Sequence, residues 1–389
     1  MVTRPPLADP PLVGPRIIRP RRDVVGPRII RPRRDVVGPR TIPAMPRRAL
    51  AWPDPRDEQG HSYPQGRWRW TGVPGFDGGM AVYTTSQLHD SGRNDRLIRR
   101  EVEIGGLTRL RHGCYAPGEP VSPEQRHRLL IEATRGRLGS TTVVSHLSAA
   151  VLHGWPVPAA LLGPVTGTRM RVTAGGGDVS AWLHTYAGSL EASEIVEIAG
   201  VRVTSPARTA ADAARLLPRN DAVVMLDAAL HLTRRAEDRD LRLAIAARLA
   251  IDARRRGARA AEAALRLSDG LAESPAESSS RLTFLDHGIP APVLQFEVVD
   301  RFGRVVAITD FAWPEFGVVG EVDGRTKYES LLRPGESATD VIVREKRREN
   351  DIQALGWLVF RWMPSDLATP AGLSGRLRRM LEMGVPHLA

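Results

Sequence analysis

Cysteine is nearly absent: Cys114 is the only one in 389 residues, which excludes an intramolecular disulfide framework and fits a reducing cytosol. Lysine is almost as scarce, with Lys327 and Lys346 standing alone among fifty-five basic residues. Long apolar runs are missing too. Pro, His or Arg interrupts every stretch before it reaches the roughly 20 residues a membrane-spanning helix needs. The N-terminus has no apolar signal-peptide core, so a cytoplasmic protein with no membrane partner is expected. The middle of the chain offers no nucleophile beside its base and no Cys-based zinc spacing, and Gly175-Gly-Gly177 is not followed by Gly-Lys-Ser/Thr, so it reads as a loop.

What is present is ordinary for a globular protein of two or three domains: 42% hydrophobic and 25% charged residues. A net charge of +11 and a pI near 10.8 invite a nucleic-acid partner. Most of that charge, however, lies in residues 1–79, which hold fifteen arginines against seven acids. There Val13-Gly-Pro-Arg-Ile-Ile-Arg-Pro-Arg-Arg-Asp-Val24 repeats unchanged as Val25 to Val36, and a third copy begins at Val37. Proline recurs too often for a helix or a ladder and no apolar face emerges, so a disordered or polyproline-like leader is expected. A product starting at Met80 or Met45 is the plainer alternative to a phosphate-holding basic arm.

The most informative stretch runs from Val305 to Trp362. Val305-Val-Ala-Ile-Thr-Asp310 and Gly317-Val-Val-Gly-Glu321-Val-Asp323 are short, β-branched and end in carboxylates, so they read as buried strands. Alternation puts Glu321 and Asp323 on one face, and a neighbouring strand would bring Asp310 beside them. Clustered acids repel one another and resist desolvation unless a cation sits among them; Mg2+ is the hard, oxygen-seeking candidate, with Asp310, Glu321 and Asp323 as ligands. The competing expectation is a structural cluster neutralised by Arg325, Arg344 or Arg347. Asp340 to Leu355 is a charged helix stopped by Gly356, and Trp357 to Trp362 is a strand.

With Glu277 on a preceding helix, Gln295 on a first strand, Asp310, Glu321-x-Asp323-Gly, a basic helix and Gly-Trp-x-x-x-Arg, this quarter resembles the very-short-patch-repair-like branch of PD-(D/E)XK endonucleases. The resemblance implies a restriction-endonuclease-like α/β domain with a mixed sheet. It also implies a metal-dependent endodeoxyribonuclease with Glu277, Asp310, Glu321, Asp323 and Lys327 at its site. Where the family closes its third motif with Lys, this chain has Asp323, so Lys327 or Lys346 would supply the cation. Ammonium, unlike guanidinium, can shift its pKa enough to act chemically.

Upstream, Thr85 to Gly92 and Arg96 to Ile104 read as two short helices, the second capped by Asn94 or Asp95 with Leu97 and Ile104 seven residues apart. Leu107 to Ala116 reads as two strands turning at His112-Gly113. This layout resembles the N-terminal winged helix of AbiEi-type antitoxins. The resemblance implies DNA as partner, with Arg96, Arg99 and Arg100 in the major groove and Arg109 and Arg111 near phosphate.

Residues 138–270 read as mostly helical. Thr142 to Gly154 forms one helix with His146 and His153 on one face, both expected in the core or at an interface. Ser205-Pro206 starts an Ala-rich helix ending near Leu217, and Asp221 to Leu232 pairs with it. The words Ser-His-x-Ser-Ala-Ala and Ser-Pro-x-Arg-Thr resemble the middle of the same antitoxins. The chain is thus expected to be multidomain α+β/α/β: leader 1–79, winged helix-turn-helix 80–137, helical middle 138–270 and endonuclease-like domain 271–389. Two functions compete. One is a DNA-binding Mg2+-dependent nuclease; the other is a type IV antitoxin or autorepressor with a toxin partner and a catalytically inactive nuclease fold.

Overall fold

In the computed structural model, the described residues are 81–170, 179–235, 240–323 and 338–384. The leader and Lys327 lie outside them, as does Arg325. The protein is mixed α/β, with three sheets among the described residues. No helix there is long and apolar enough to cross a membrane.

The first unit runs β1 (Tyr83–Thr84), α1 (Thr85–Asp90), α2 (Asp95–Glu103), β2 (Leu107–Arg111), β3 (Cys114–Pro117) and α3 (Pro123–Thr134). Thr84 and Gln87 form a reciprocal capping box on α1, and the Asn94 side chain accepts from the Leu97 N–H at 2.9 Å to start α2. Leu88, Ile98 and Leu107 make the small core beneath the two helices. Leu97 and Ile104 do not line that core; they are 43% and 72% exposed. Ile98 and Val102, one turn apart, take that place.

The middle region has the expected helices and, in addition, a sheet that its sequence pattern did not show. Five strands form a sheet in the order β6-β5-β4-β8-β7: β4 (Thr142–Val144), β5 (Val165–Arg169), β6 (Leu183–Ala187), β7 (Ile195–Ile198) and β8 (Val201–Thr204). Thr142-Val-Val is a strand rather than the first turn of a helix, since its β-branched side chains fit a pleat, and α4 covers only His146–Leu152. The sheet is followed by α5 (Pro206–Ala214), α6 (Arg219–Arg235), α7 (Leu241–Ile251) and α8 (Ala258–Leu267). Buried alanines at 210, 211, 213, 222, 228, 229, 261 and 264 let these helices approach closely around Met225, Leu226 and Ile245. A second core joins Leu110, Cys114 and Ile131 from the first unit to Val144 and Val203 of the middle sheet and Ala149 of α4.

The last unit is α9 (Pro275–Asp286), β9 (Val293–Val299), β10 (Val305–Trp313), β11 (Val318–Val322), α10 (Ala338–Ala354), β12 (Leu358–Trp362) and α11 (Pro370–Met383). The sheet is mixed, ordered β12-β11-β10-β9. The first three strands in sequence are antiparallel neighbours, and β12 returns parallel to β11 through the α10 crossover. One face buries Phe284 of α9 and Leu377 of α11 against Phe311, Trp313 and Trp362; the other receives Ile352 of α10. Gly320 is required by this packing, since a Cβ there would lie 3.0 Å from the Trp362 ring and 3.1 Å from that of Trp313.

Candidate functional site

The expected acids converge on the α10 side of the last sheet, in a row that crosses all four strands. Glu321 of β11 pairs in register with Arg361 of β12. The pair Phe311–Gly320 sets Asp310 opposite Glu321 one residue further on, and the pairs Thr309–Phe296 and Phe311–Leu294 bracket Asp310 opposite Gln295. Gln295 has φ +48, and the ladder skips its pairing with Asp310. A positive φ at a non-glycine residue is a strained conformation held by its surroundings.

The row is buried and densely partnered. Glu321, 1% exposed, receives Arg348 of α10 at 2.6 Å on Oε1 and Arg361 at 3.0 Å on Oε2. Arg361 also approaches Asp323 and Glu349, each at 3.8 Å. Burial lowers the pKa of Arg361, but the charges of Glu321, Asp323 and Glu349 outweigh it and the net shift is upward. Arg348 donates to the Ile308 carbonyl as well. Asp310 accepts the Val322 N–H at 3.1 Å, a contact across strands that tightens the end of β11.

Glu277 is held differently. Its Oε1 accepts from the Ser274 hydroxyl at 2.9 Å; its Oε2 accepts from the Glu273 N–H at 2.8 Å and from the Gln295 amide at 3.3 Å. It therefore closes the N-terminus of its own helix and ties α9 to β9. Lys346 is an exposed residue of α10, 3.5 Å from Glu349. Arg348 and Arg361, guanidinium partners of Glu321, come from 27 and 40 residues away.

Two of the expected site acids, Glu321 and Glu277, are engaged by protein groups in this structure. A hard divalent ion takes carboxylate oxygens; here Arg348 donates to Oε1 of Glu321, Arg361 Nη2 lies 3.0 Å from Oε2, and the oxygens of Glu277 accept from Ser274, Glu273 and Gln295. Among the described residues, no three of His, Cys, Asp and Glu gather closely enough to hold a metal ion. The burial cost of the acids is offset instead by arginine.

In the first unit, α2 exposes Arg96, Arg99 and Arg100, and Arg96 and Arg100 make no ion pair with the described residues. Arg109 is also exposed, with His112 Nδ1 3.0 Å from its Nη2. Arg111 departs from the expected phosphate contact: its Nε donates to the Ala133 carbonyl at 2.8 Å, and its guanidinium lies 5.6 Å from the Trp182 ring centre. It fastens the hairpin to α3 and the middle unit.

His146 and His153 are core residues. His153 Nε2 meets the Thr204 carbonyl at 2.9 Å, and His146 Nδ1 meets the Ser145 hydroxyl at 2.7 Å. Burial pushes both pKa values down to about 4.

No family model matches the chain. The crystal structure of RV2827C protein from Mycobacterium tuberculosis overlaps 49% of this chain and 77% of its own, at 17% identity and a TM-score of 0.27, too loosely to bear on the fold. Two proteins from strains of Mycobacterium tuberculosis, CDC 1551 / Oshkosh and H37Rv, are described as uncharacterized proteins MT2308 and Rv2248. Each is 33% identical over 287 residues, spanning 72% of this chain and 95% of the relative. The chain belongs to the family of these mycobacterial proteins.

Proposed function

We propose that the protein is a DNA-binding regulator. In this reading α2 enters the major groove as the second helix of a winged helix, the β2–β3 hairpin rests on the backbone, and the last sheet is an endonuclease-like scaffold whose acids are neutralised without catalysis. The observation that carries the DNA contact is the exposed arginine face of α2, Arg96, Arg99 and Arg100, above a core contact through Ile98. Guanidinium groups placed this way suit both phosphate and guanine edges. A toxin protein as second partner rests on the sequence resemblance to AbiEi-type antitoxins.

The Mg2+-dependent nuclease is the second reading. It is favoured by the α-β-β-β-α-β order and by the register that sets Asp310 opposite Glu321 on neighbouring strands. The two readings part on one experiment. Purified protein incubated with supercoiled plasmid and Mg2+ or Mn2+ should retard the DNA without nicking it. Nicking that disappears in Asp310→Asn, with DNA retention intact, would establish the nuclease instead.

A further inference from the structure

The two sequence words of the middle unit, around Ser145-His146 and Ser205-Pro-Ala-Arg208, meet at a cavity of about 190 Å³ bordered by His146, His184, Tyr186, Arg208, Arg215 and Arg255. Behind it lies a closed ring of alternating charges. Arg208 holds Asp212 at 2.6 Å, Asp212 holds Arg215 at 3.1 Å, and Arg215 reaches Asp252 at 3.4 Å. Asp252 holds Arg248 at 2.9 Å, Arg248 holds Glu194 at 3.0 Å, and Glu194 returns to Arg208 at 3.2 Å. The ring links the turn before β7 to α5 and to the end of α7.

Three guanidiniums and three carboxylates cancel within the ring. Arg255, 2.8 Å from Asp252, adds a further positive charge at the half-exposed rim. None of the residues lining the cavity is acidic, so its wall is positive although the ring behind it is balanced. Arg215 is only 8% exposed, and its two ion pairs, to Asp212 at 3.1 Å and to Asp252 at 3.4 Å, hold its guanidinium at the cavity wall. Guanidinium groups at the wall of a pocket that has no acidic lining suit an oxyanion.

The remaining wall is largely polar. Tyr186 stacks on His146 at 3.9 Å and on His184 at 4.4 Å, so these rings cover one another's faces and can offer a ligand hydrogen bonds rather than a stacking platform. A volume of about 190 Å³ equals the share of roughly six waters at ~30 Å³ each. That accommodates a phosphoryl group with a small substituent, and not a run of nucleotides. We propose that this cavity binds a phosphate group, either as inorganic phosphate or as a small phosphomonoester.

The test uses the full chain, with inorganic phosphate and glycerol 2-phosphate as probes and sodium chloride at equal ionic strength as reference, read by thermal melting and by 31P line width. Either phosphate probe should raise the melting temperature where chloride does not. A stronger response to the ester makes the substituent part of the ligand, and an equal response makes bare phosphate sufficient. Arg255→Gln removes a charge at a half-exposed position and should weaken binding by about tenfold, the scale of one charge-assisted hydrogen bond. His184→Gln, which changes no ring ion pair, should weaken it less. A response no larger than that to chloride overturns the assignment, as does one that both variants leave unchanged.

Discussion

If arginine rather than a metal balances the acid row, Arg361→Met should be costly. The substitution keeps most of the aliphatic stem and removes the guanidinium that lies 3.0 Å from the buried Glu321 and 3.8 Å from Asp323 and Glu349. Breaking a buried pair from one side costs roughly 3–5 kcal/mol. Two features reduce this: Arg348 still holds Oε1 of Glu321, and Arg361 is 28% exposed, so water enters the space it leaves. About 2–3 kcal/mol remains, equivalent to a fall of roughly 3–5 °C in melting temperature for a chain of this size. Differential scanning calorimetry measures it directly. The double variant Glu321→Leu with Arg361→Met should lose less than the two single losses together, because it removes the buried charge along with its partner. A single variant as stable as wild type would refute arginine neutralisation, and so would a wild-type protein whose melting temperature Mg2+ raises.

Other consequences can be measured independently. Gly257→Ala should destabilise by about 2–4 kcal/mol in chemical denaturation, because φ there is +82° and a Cβ would collide with the Arg215 carbonyl. His127, His146 and His153 are held neutral, with pKa values pushed to about 4 by burial, below their unfolded value of 6.5. Their contribution to stability is complete above pH 6.5 and is lost as pH falls towards 4. Asp227, raised to about 6 chiefly by burial and against the pull of Arg281, works in the opposite sense. Unfolding near pH 5 should therefore take up about two protons, a slope of roughly 3 kcal/mol per pH unit. A flat stability profile between pH 6.5 and 4.5 would contradict the neutral burial of these histidines.

Local pattern carried far in the last unit and less far elsewhere. The β-branched runs ending in Asp310 and Glu321 became β10 and β11, Gly356 with φ +86 ended the helix before β12, and alternation placed Glu321 and Asp323 where Arg361 reaches both. The partners Arg348 and Arg361 were not legible, because nothing local says which of many arginines returns across a crossover helix. Glu277 did carry an unread signal: Ser274-Pro-Ala-Glu277 is a capping-box word that marks a helix start as readily as a metal ligand. The middle sheet was hidden by brevity. Three to five residues such as Thr142-Val-Val or Val201-Arg-Val-Thr show too few alternations to separate a strand from a helix end, and the partners of β4 lie more than twenty residues away.

The DNA contact itself is tested most directly by the salt dependence of binding to a labelled duplex, followed by fluorescence anisotropy for wild type and for Arg96→Ala with Arg100→Ala. Each phosphate contact contributes about 0.9 to the slope of log affinity against log salt, so losing these two exposed side chains should weaken binding and flatten the slope by roughly 1–2 units. A double variant with the affinity and slope of wild type would contradict the placement of α2 in the groove.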